Sequence, residues 1–105
     1  MSFIVHLRRA AELDVAEAQL WYETRRIGLG AEFHSEVSHV IDRLAETPLI
    51  YQIVYRDVRR AIVHRFPYLI WYRVLGDDVT VLACTPGRQE PSKVIARLSD
   101  VTDAL

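Results

Sequence analysis

The pattern of apolar and polar positions gives the first half of the chain a helical period and the second half the character of strands. Between residues 33 and 44 the apolar residues recur at steps of three or four, which predicts an amphipathic helix. They are Phe33, Val37, Val40, Ile41 and Leu44. Tyr68–Leu75 is aromatic and branched, and Val79–Thr85 is almost continuously apolar, so both segments are predicted to be strands. The second is expected to be buried on both faces and central.

The N-terminal third predicts a strand followed by a helix. Apolar residues alternate along Ser2–Leu7, with Phe3, Val5 and Leu7 on one side. Residues 10–26 contain neither Gly nor Pro and predict a helix. Its apolar stripe is expected to consist of Leu13, Ala16 and Leu20, extended by Tyr22 or Ile27. Gly28-Leu29-Gly30 would end this helix and Pro48 the next one.

The predicted fold is α+β. Arg59–Phe66 adds a third strand that Pro67 ends, and three strands with short links predict an antiparallel meander. An antiparallel helical hairpin would pack on this meander, with the N-terminal strand at a sheet edge. Glu90–Leu98 is compatible with a short last helix, because Pro91 would fall in its first turn. With 105 residues, half of them apolar, the chain is expected to form a single domain over residues 1–105.

The formal net charge of −1 hides an asymmetry along the chain. From Glu12 to Glu46 there are eight acidic residues against three arginines, whereas from Arg56 to Arg97 eight basic residues face four acids. The basic residues are nearly all arginine, whose planar guanidinium suits contact with carboxylates and phosphates. The sheet is therefore the expected side for an anionic partner, although a chain of this balance lacks the strong basicity of proteins that bind nucleic acid over a wide surface.

Composition also limits the classes of function. The longest apolar runs are far too short to cross a bilayer, so no membrane association is expected. The single cysteine, Cys84, cannot form an internal disulfide, which favours a cytoplasmic protein with this thiol buried in a strand. The residues His6, His34 and His39 lack partners at metal-ligand spacing, and no phosphate-binding glycine loop occurs. Neither a metal nor a cofactor is therefore expected.

Short sequences spread over nearly the whole chain carry a family resemblance. The helical half contains Leu20-Trp21-Tyr22, Gly28-Leu29-Gly30 with Phe33, and Pro48. The strands contain Val58-Arg59-Arg60-Ala61, Arg65-Phe66-Pro67-Tyr68 and Tyr72-Arg73-Val74, followed by Pro86-Gly87-Arg88-Gln89-Glu90-Pro91. In this order they resemble the RelE/ParE superfamily of toxins, and most closely its ParE-like members, which include plasmid stabilisation proteins. Many relatives carry His where this chain has Pro86 and a second arginine where it has Gln89.

The resemblance implies the toxin of a type II toxin–antitoxin system. ParE-like members inhibit DNA gyrase by binding, whereas RelE-like members are ribosome-dependent mRNA endonucleases. Both kinds are held inactive by a cognate antitoxin, here expected to be acidic and partly disordered, and DNA is contacted only indirectly through that antitoxin. We expect a ParE-like inhibitor rather than an enzyme, because Pro86 cannot move a proton. The alternatives are a metal-independent mRNA endonuclease and an interaction module of the same fold that has lost toxicity.

Candidate site residues follow from the chemistry that each alternative needs. An endonuclease would use Arg60, His64, Arg73 and Arg88 around a phosphate, with His64 as the group that titrates near neutrality. Strand alternation places Arg60, Ile62, His64 and Phe66 on one face and Arg59, Ala61, Val63 and Arg65 on the other. The first set is also what an ordinary mixed solvent face would contain.

Other candidate roles concern partner proteins and packing. The candidate contacts to a partner are Arg59, Arg60, Tyr72, Arg73 and Arg88. Alternatively, Arg59 and Arg65 are expected to pair with acids on the helices, and Glu32, Glu36 and Asp42 to form a solvated helix face. Of Trp71 and Tyr72, one is expected in the core and the other exposed, and Trp21 and Tyr22 are expected to pack between helix and sheet.

Overall fold

A computed structural model describes residues 2–103, and for residues 100–103 only the backbone is considered. The strands in this range are β1 (Ile4–Leu7), β2 (Ile53–Tyr55), β3 (Val58–Ile62), β4 (Tyr68–Leu75) and β5 (Asp78–Pro86). The helices are α1 (Arg9–Arg25), α2 (Leu29–Glu46) and α3 (Pro91–Asp103), with a short 3₁₀ turn at Pro48–Ile50. The α+β prediction is confirmed.

The five strands form one mixed sheet in the order β1-β5-β4-β3-β2. Strands β3, β4 and β5 make the predicted antiparallel meander. Strand β1 lies at an edge as expected, but it pairs parallel with β5, and residues 8–77 form the connection between them. The three-residue strand β2 was not predicted, since so short a segment has no readable period.

The β4–β5 ladder contains one irregularity that sets the faces of β5. Tyr72 pairs with Val81, but Trp71 pairs with Ala83, so Leu82 is an extra residue in β5. Because of this bulge, Leu82 and Ala83 both pack on the α3 side, while Val81 and Cys84 join the core beneath α1 and α2. Strand β5 is buried on both faces, as its apolar sequence predicted.

The larger core lies between the helical hairpin and the sheet. The predicted stripe of α2 is confirmed, with Phe33, Val37, Val40 and Leu44 buried and Ile41 partly buried. Four rings cluster at one end of this core with centroids 4.8 to 6.0 Å apart, and they are Tyr22, Phe33, Phe66 and Tyr68. Such edge-on ring contacts add to the apolar area that they bury.

The predicted stripe of α1 is wrong apart from Tyr22. Leu13, Leu20 and Ile27 are 52, 69 and 90% exposed, and Ala16 is exposed as well. The buried face consists of small residues instead, namely Ala11, Val15 and Ala18. Small side chains on this face let α1 lie close to both α2 and β5. The inner face is therefore the one that allows the closest approach, and not the one with the largest apolar residues.

The turn between the two helices depends on Glu23 and two glycines. Gly28 has φ of +90°, a conformation that favours glycine. The Glu23 carboxylate of α1 accepts hydrogen bonds from the backbone N–H groups of Gly28 and Gly30, both at 2.9 Å. An acidic side chain therefore caps the N-terminus of α2 from the neighbouring helix.

The opposite face of the sheet is covered by α3. Val94 and Leu98 are buried there against Val58, Trp71 and Leu82. The predicted last helix is confirmed, but it starts one residue later and continues to Asp103 rather than ending at Leu98. Over residues 2–103 no helix is long and apolar enough to cross a membrane.

We expect Gly30→Ala to destabilise the protein, although alanine is normally the better helix former. A Cβ at this position would lie 2.6 Å from the backbone oxygen of Gln19, so the two helices would have to separate. The predicted loss is about 1–3 kcal/mol, as for other overpacked sites. It would be measured by urea unfolding, with the exposed α2 variant Ser35→Ala as control. A Gly30→Ala protein as stable as the control would contradict this close approach.

Candidate functional site

A concavity lies at the end of the sheet where β4 begins and β5 ends. It has a volume of about 560 Å³ and is enclosed by α1, α3 and the loops before β4 and after β5. We call it the Arg88 pocket. Its ring-bearing walls are Trp21, Tyr22, Pro67, Tyr68 and Pro86. Its charged lining residues are Asp14, Glu17, Arg88 and Arg97.

Arg88 is held at the pocket by a tight turn. The N–H of Gly87 donates to the oxygen of Pro67 at 2.7 Å, and the N–H of Gln89 donates to the oxygen of Pro86 at 3.1 Å. The Arg88 side chain is exposed, and within the described residues no carboxylate pairs with it. This predicted contact residue is therefore available to a partner.

Two tyrosines share the pocket with Arg88. Burial raises the pKa of Tyr22 and of Tyr68, and the nearby positive charge of Arg88 partly opposes this in both cases. Both phenols thus stay protonated at neutral pH and can donate hydrogen bonds. Neither hydroxyl has a hydrogen-bond partner among the described residues, so both are free to meet a ligand.

Asp14 joins three elements at the wall of the pocket. Its carboxylate accepts the N–H of Cys84 in β5 at 2.9 Å and a guanidinium N–H of Arg97 in α3 at 2.9 Å. Strand β1 pairs with β5 only as far as Val81, so the Cys84 N–H would otherwise lack a strand partner. Two residues further on, Pro86 has no N–H to offer at the same edge. This edge is therefore closed to strand addition.

Trp21 lies at the mouth of the pocket rather than between helix and sheet. Its side chain is 47% exposed, and the guanidinium of Arg25 lies 4.2 Å from the ring centroid. Only its neighbour Tyr22 packs into the ring cluster. The joint packing expected for the two residues is thus correct for Tyr22 and wrong for Trp21.

Arg73 does not join Arg88. It is buried and bonds with Asp57, to which its Nε donates at 3.2 Å, and its Nη1 atom has no partner. It pairs with Thr80 near the far end of β4, whereas Tyr68 at the pocket pairs with Pro86. Five residues of strand separate the two positions, or about 17 Å. Arg73 and Arg88 therefore cannot hold the same phosphate.

The expectation that one of Trp71 and Tyr72 is exposed is wrong. Tyr72 is fully buried, and its hydroxyl donates to the oxygen of Pro48. Trp71 is buried beneath α3 and donates its indole N–H to Thr85 at 2.9 Å. The two rings do point to opposite faces, but the hairpin covers one face and α3 the other. Tyr72 thus has no surface with which to contact a partner.

Arg59 and Arg65 differ in their partners. Arg65 donates to Glu32 at 2.8 Å, which confirms the expected pairing with a helix acid, and this contact holds the pKa of Glu32 below its ordinary value. Glu32 also accepts from Arg26, so it is not a merely solvated residue. Arg59 instead donates to the backbone oxygens of Leu49 and Tyr51, which is a structural role.

The predicted face of Arg60, Ile62, His64 and Phe66 is broken. Arg65 has φ of +72°, and this turn sends Phe66 into the core, while His64 stays exposed beyond the end of β3. Arg60 is exposed on the α3 side, 5.5 Å from the centroid of Trp71. Neither Arg60 nor His64 lines the Arg88 pocket. The four residues proposed for catalysis are therefore not assembled in one site.

A second groove, which periodicity did not indicate, lies beside edge strand β2. It has a volume of about 310 Å³, and its lining includes Arg60 and two isoleucines, Ile50 and Ile62, that are 70 and 67% exposed. We call it the β2 groove. Sequence reasoning also missed Asp14, Tyr22 and Arg97 as pocket residues, because each was assigned only to a helix.

Comparison with known proteins gives a match between this chain and one protein family. A family model described as the ParE toxin of the type II toxin–antitoxin system parDE matches residues 5–91. The chain belongs to this family. No curated protein matches the sequence.

Solved structures share the fold of this ParE-family protein. The chromosomal ParDE system from P. aeruginosa matches with a TM-score of 0.70 and 17% identity, over 80% of this chain and 95% of that one. A double mutant of the E. coli toxin RelE in the free state matches with a TM-score of 0.70 and 14% identity, over 95 and 97%. The isolated E. coli RelE toxin gives 0.62 and 13%, over 91 and 98%.

Asp14→Asn is expected to destabilise this ParE-family protein by about 1–3 kcal/mol, since the charge that pairs with Arg97 and the sheet edge is lost. Urea unfolding would measure the loss, and hydrogen exchange of the Cys84 amide would show whether the edge opens. The exposed α2 variant Asp42→Asn serves as control and should stay within about 0.5 kcal/mol. Equal stability of both variants would argue against a fastening role for Asp14.

The protein should lose stability above pH 9. Burial raises the pKa of the Cys84 thiol from 9.0 to about 12 and that of Tyr72 from 10.0 to about 12. The unfolded chain releases these protons first, so the free energy of unfolding falls as the pH rises from 9 towards 12, by at most about 1.4 kcal/mol per pH unit and group. In Cys84→Ala the slope between pH 9 and 10 should fall by about half or more, and the part that remains comes from the tyrosines whose pKa values burial also raises. An unchanged slope in this variant would show that other groups cause it.

Proposed function

We propose that this ParE-family protein is a growth-inhibiting toxin that acts by binding a target, such as DNA gyrase, and that a cognate antitoxin neutralises it. The observation that carries the proposal is the dispersal of Arg60, His64, Arg73 and Arg88. Arg73 is buried with Asp57, and only Arg88 lines the main pocket. A site of this kind suits recognition better than proton transfer.

The chemistry of the Arg88 pocket supports the same proposal. Cleavage of RNA without a metal requires a base for the attacking hydroxyl and an acid for the leaving oxygen. Arginine stabilises negative charge, but it remains protonated and cannot serve as the base. The phenols of Tyr22 and Tyr68 have raised pKa values, so they are poor bases at neutral pH. The pocket can therefore bind an anion. Its candidate proton acceptors are the carboxylates of Asp14, which already accepts from Cys84 and Arg97, and of Glu17, whose negative charge opposes the approach of a phosphate.

The β2 groove supports contact with a protein. Exposed isoleucines beside an arginine are the chemistry of protein interfaces, where apolar anchors and arginine contribute most of the binding energy. Ile50, Ile62 and Arg60 provide this combination outside the pocket. The toxin thus has two separate surfaces, one for each of two protein partners, its target and its antitoxin. We place the protein and both partners in the cytoplasm.

The second candidate function is a RelE-like, ribosome-dependent mRNA endonuclease. The observation in its favour is the fold shared with RelE over nearly the whole chain, together with an unpaired Arg88 at the pocket. It requires a proton acceptor that approaches Arg88 only when the ribosome is bound, and His64 on its exposed loop is the candidate. An interaction module without toxicity is the third candidate.

Controlled expression without antitoxin would test the proposal. We expect growth to stop, with incorporation of labelled thymidine falling before that of labelled methionine, and we expect the purified protein to inhibit supercoiling by gyrase. In a translation extract with a defined mRNA we expect no cleavage.

Three outcomes would contradict it. Ribosome-dependent cleavage that disappears in Arg88→Gln, but not in the surface control Arg43→Gln, would establish the endonuclease. A loss of translation before replication, with gyrase unaffected, would exclude gyrase as the target. Normal growth at full expression of the folded protein would leave only the interaction module.

A further inference from the structure

We propose that the Arg88 pocket is the binding site for an apolar–acidic segment of a protein partner. A bulky apolar side chain of the partner would enter between the aromatic walls, and a neighbouring carboxylate would bind Arg88 and the two tyrosine hydroxyls. The inference rests on the proposed function in one respect, which is that the antitoxin supplies this segment.

The polar groups of the pocket are arranged to receive one anionic group. Arg88, Tyr22 and Tyr68 line the same cavity, and none of the three has a hydrogen-bond or ion-pair partner for its side-chain polar atoms within the described residues. They are close enough for the Arg88 charge to act on both phenols. One guanidinium and two hydroxyls supply donors enough for a single carboxylate, which accepts several hydrogen bonds.

The walls are suited to an apolar side chain rather than to a small ion alone. The indole ring of Trp21 is 47% exposed at the mouth, and Pro67 and Pro86 flank the opening. A volume of about 560 Å³ lies within the usual range for ligand pockets and exceeds what one carboxylate needs. A partly exposed aromatic ring beside an arginine is also the usual composition of an interface hot spot.

The charge balance selects a peptide over a nucleic acid. Two arginines, Arg88 and Arg97, line the pocket together with two acids, Asp14 and Glu17. Asp14 already pairs with Arg97, and Glu17 offsets much of the attraction of Arg88 for a chain of phosphates. A polyanion therefore gains little electrostatic binding energy, whereas one carboxylate that contacts Arg88 directly forms a charge-assisted hydrogen bond.

The mode of binding is insertion of side chains and not addition of a strand. Asp14 occupies the N–H of Cys84, and Pro86 has no N–H, so the edge of β5 at the pocket has no free donor for a partner strand. A partner must therefore be recognised through its side chains here, which makes the sequence of its anchor decisive.

Binding to blocked tetrapeptides would test the inference on the full chain. The probes are Ac-Glu-Leu-Phe-Glu-NH₂ and its glutamine analogue Ac-Gln-Leu-Phe-Gln-NH₂, titrated by ¹⁵N NMR. The acidic peptide should shift the Trp21 indole N–H and the amides of residues 87–89. The amide of Asp42 on α2, which is not among the pocket residues, provides an internal reference, and Trp21→Phe assigns the two indole signals.

The affinities should differ by about tenfold or more, as expected for the loss of one charge-assisted hydrogen bond. The glutamine peptide should bind the native protein more weakly by this factor, and so should the acidic peptide with Arg88→Gln. Tyr68→Phe, which keeps the ring and removes one donor, should weaken binding about threefold or more. The control Arg43→Gln carries an exposed change on α2 and should bind like the native protein.

Equal affinity for the two peptides, or shifts outside the pocket, would overturn the inference. Tighter binding of an octauridylate at the same residues, dependent on Arg88, would assign the pocket to nucleic acid instead. The readout is independent of growth. A toxin that arrests growth but binds neither peptide would refute the pocket assignment alone, and a harmless protein that binds the acidic peptide would refute only the toxic function.

Discussion

Burial of the β4–β5 hairpin on both faces is the constraint on which the other elements depend. Tyr72 and Cys84 need a cover on one side, and Trp71 and Leu82 need one on the other. A sheet with two apolar faces cannot be stable with one layer of helices, because each exposed face would forfeit its hydrophobic stabilisation. The helical hairpin covers one face and α3 covers the other. Because of the bulge at Leu82, neighbouring residues of β5 pack beneath different covers.

The same constraint creates the pocket. Covers on opposite faces of a sheet meet only at its edge, and here they meet where β1 has ended and β5 continues alone. Asp14 of α1 and Arg97 of α3 bridge this gap around the strand. The space that remains beyond their contact is the Arg88 pocket, so this cavity is a by-product of closing the core.

Sequence patterns predicted the elements whose burial is one-sided or complete. The α2 stripe and the strands Tyr68–Leu75 and Val79–Thr85 follow from periodicity alone, since their environments are uniform along their length. The inner face of helix α1 does not follow from periodicity, because it is the face that allows the closest approach to α2 and β5. Alanines at positions 11 and 18 fit where Leu13 and Leu20 would not, and size-based patterns point the other way.

The site was less predictable than the fold for a related reason. Arg73 and Tyr72 stand in a motif that resembles a functional signature, but Asp57 and Pro48, which bind them, come from distant segments that no local pattern connects. Arg88 was found because it follows a strand in a glycine-containing loop, a position that is exposed in most folds. Its neighbour Tyr22 was not found, since it lies on a helix some sixty residues away in sequence.

The proposed role in recognition rests on how the charges of this sheet are used. Four of the eight basic residues in the second half are bound within the protein by carbonyls or carboxylates and so stabilise the fold, namely Arg59, Arg65, Arg73 and Arg97. Two other cations, Arg60 and Arg88, lie in separate grooves, each beside apolar or aromatic side chains. One cation with an apolar neighbour discriminates between protein surfaces by shape and single charges. In this structure Arg60 and Arg88 do not meet around one phosphate, as the endonuclease alternative would require.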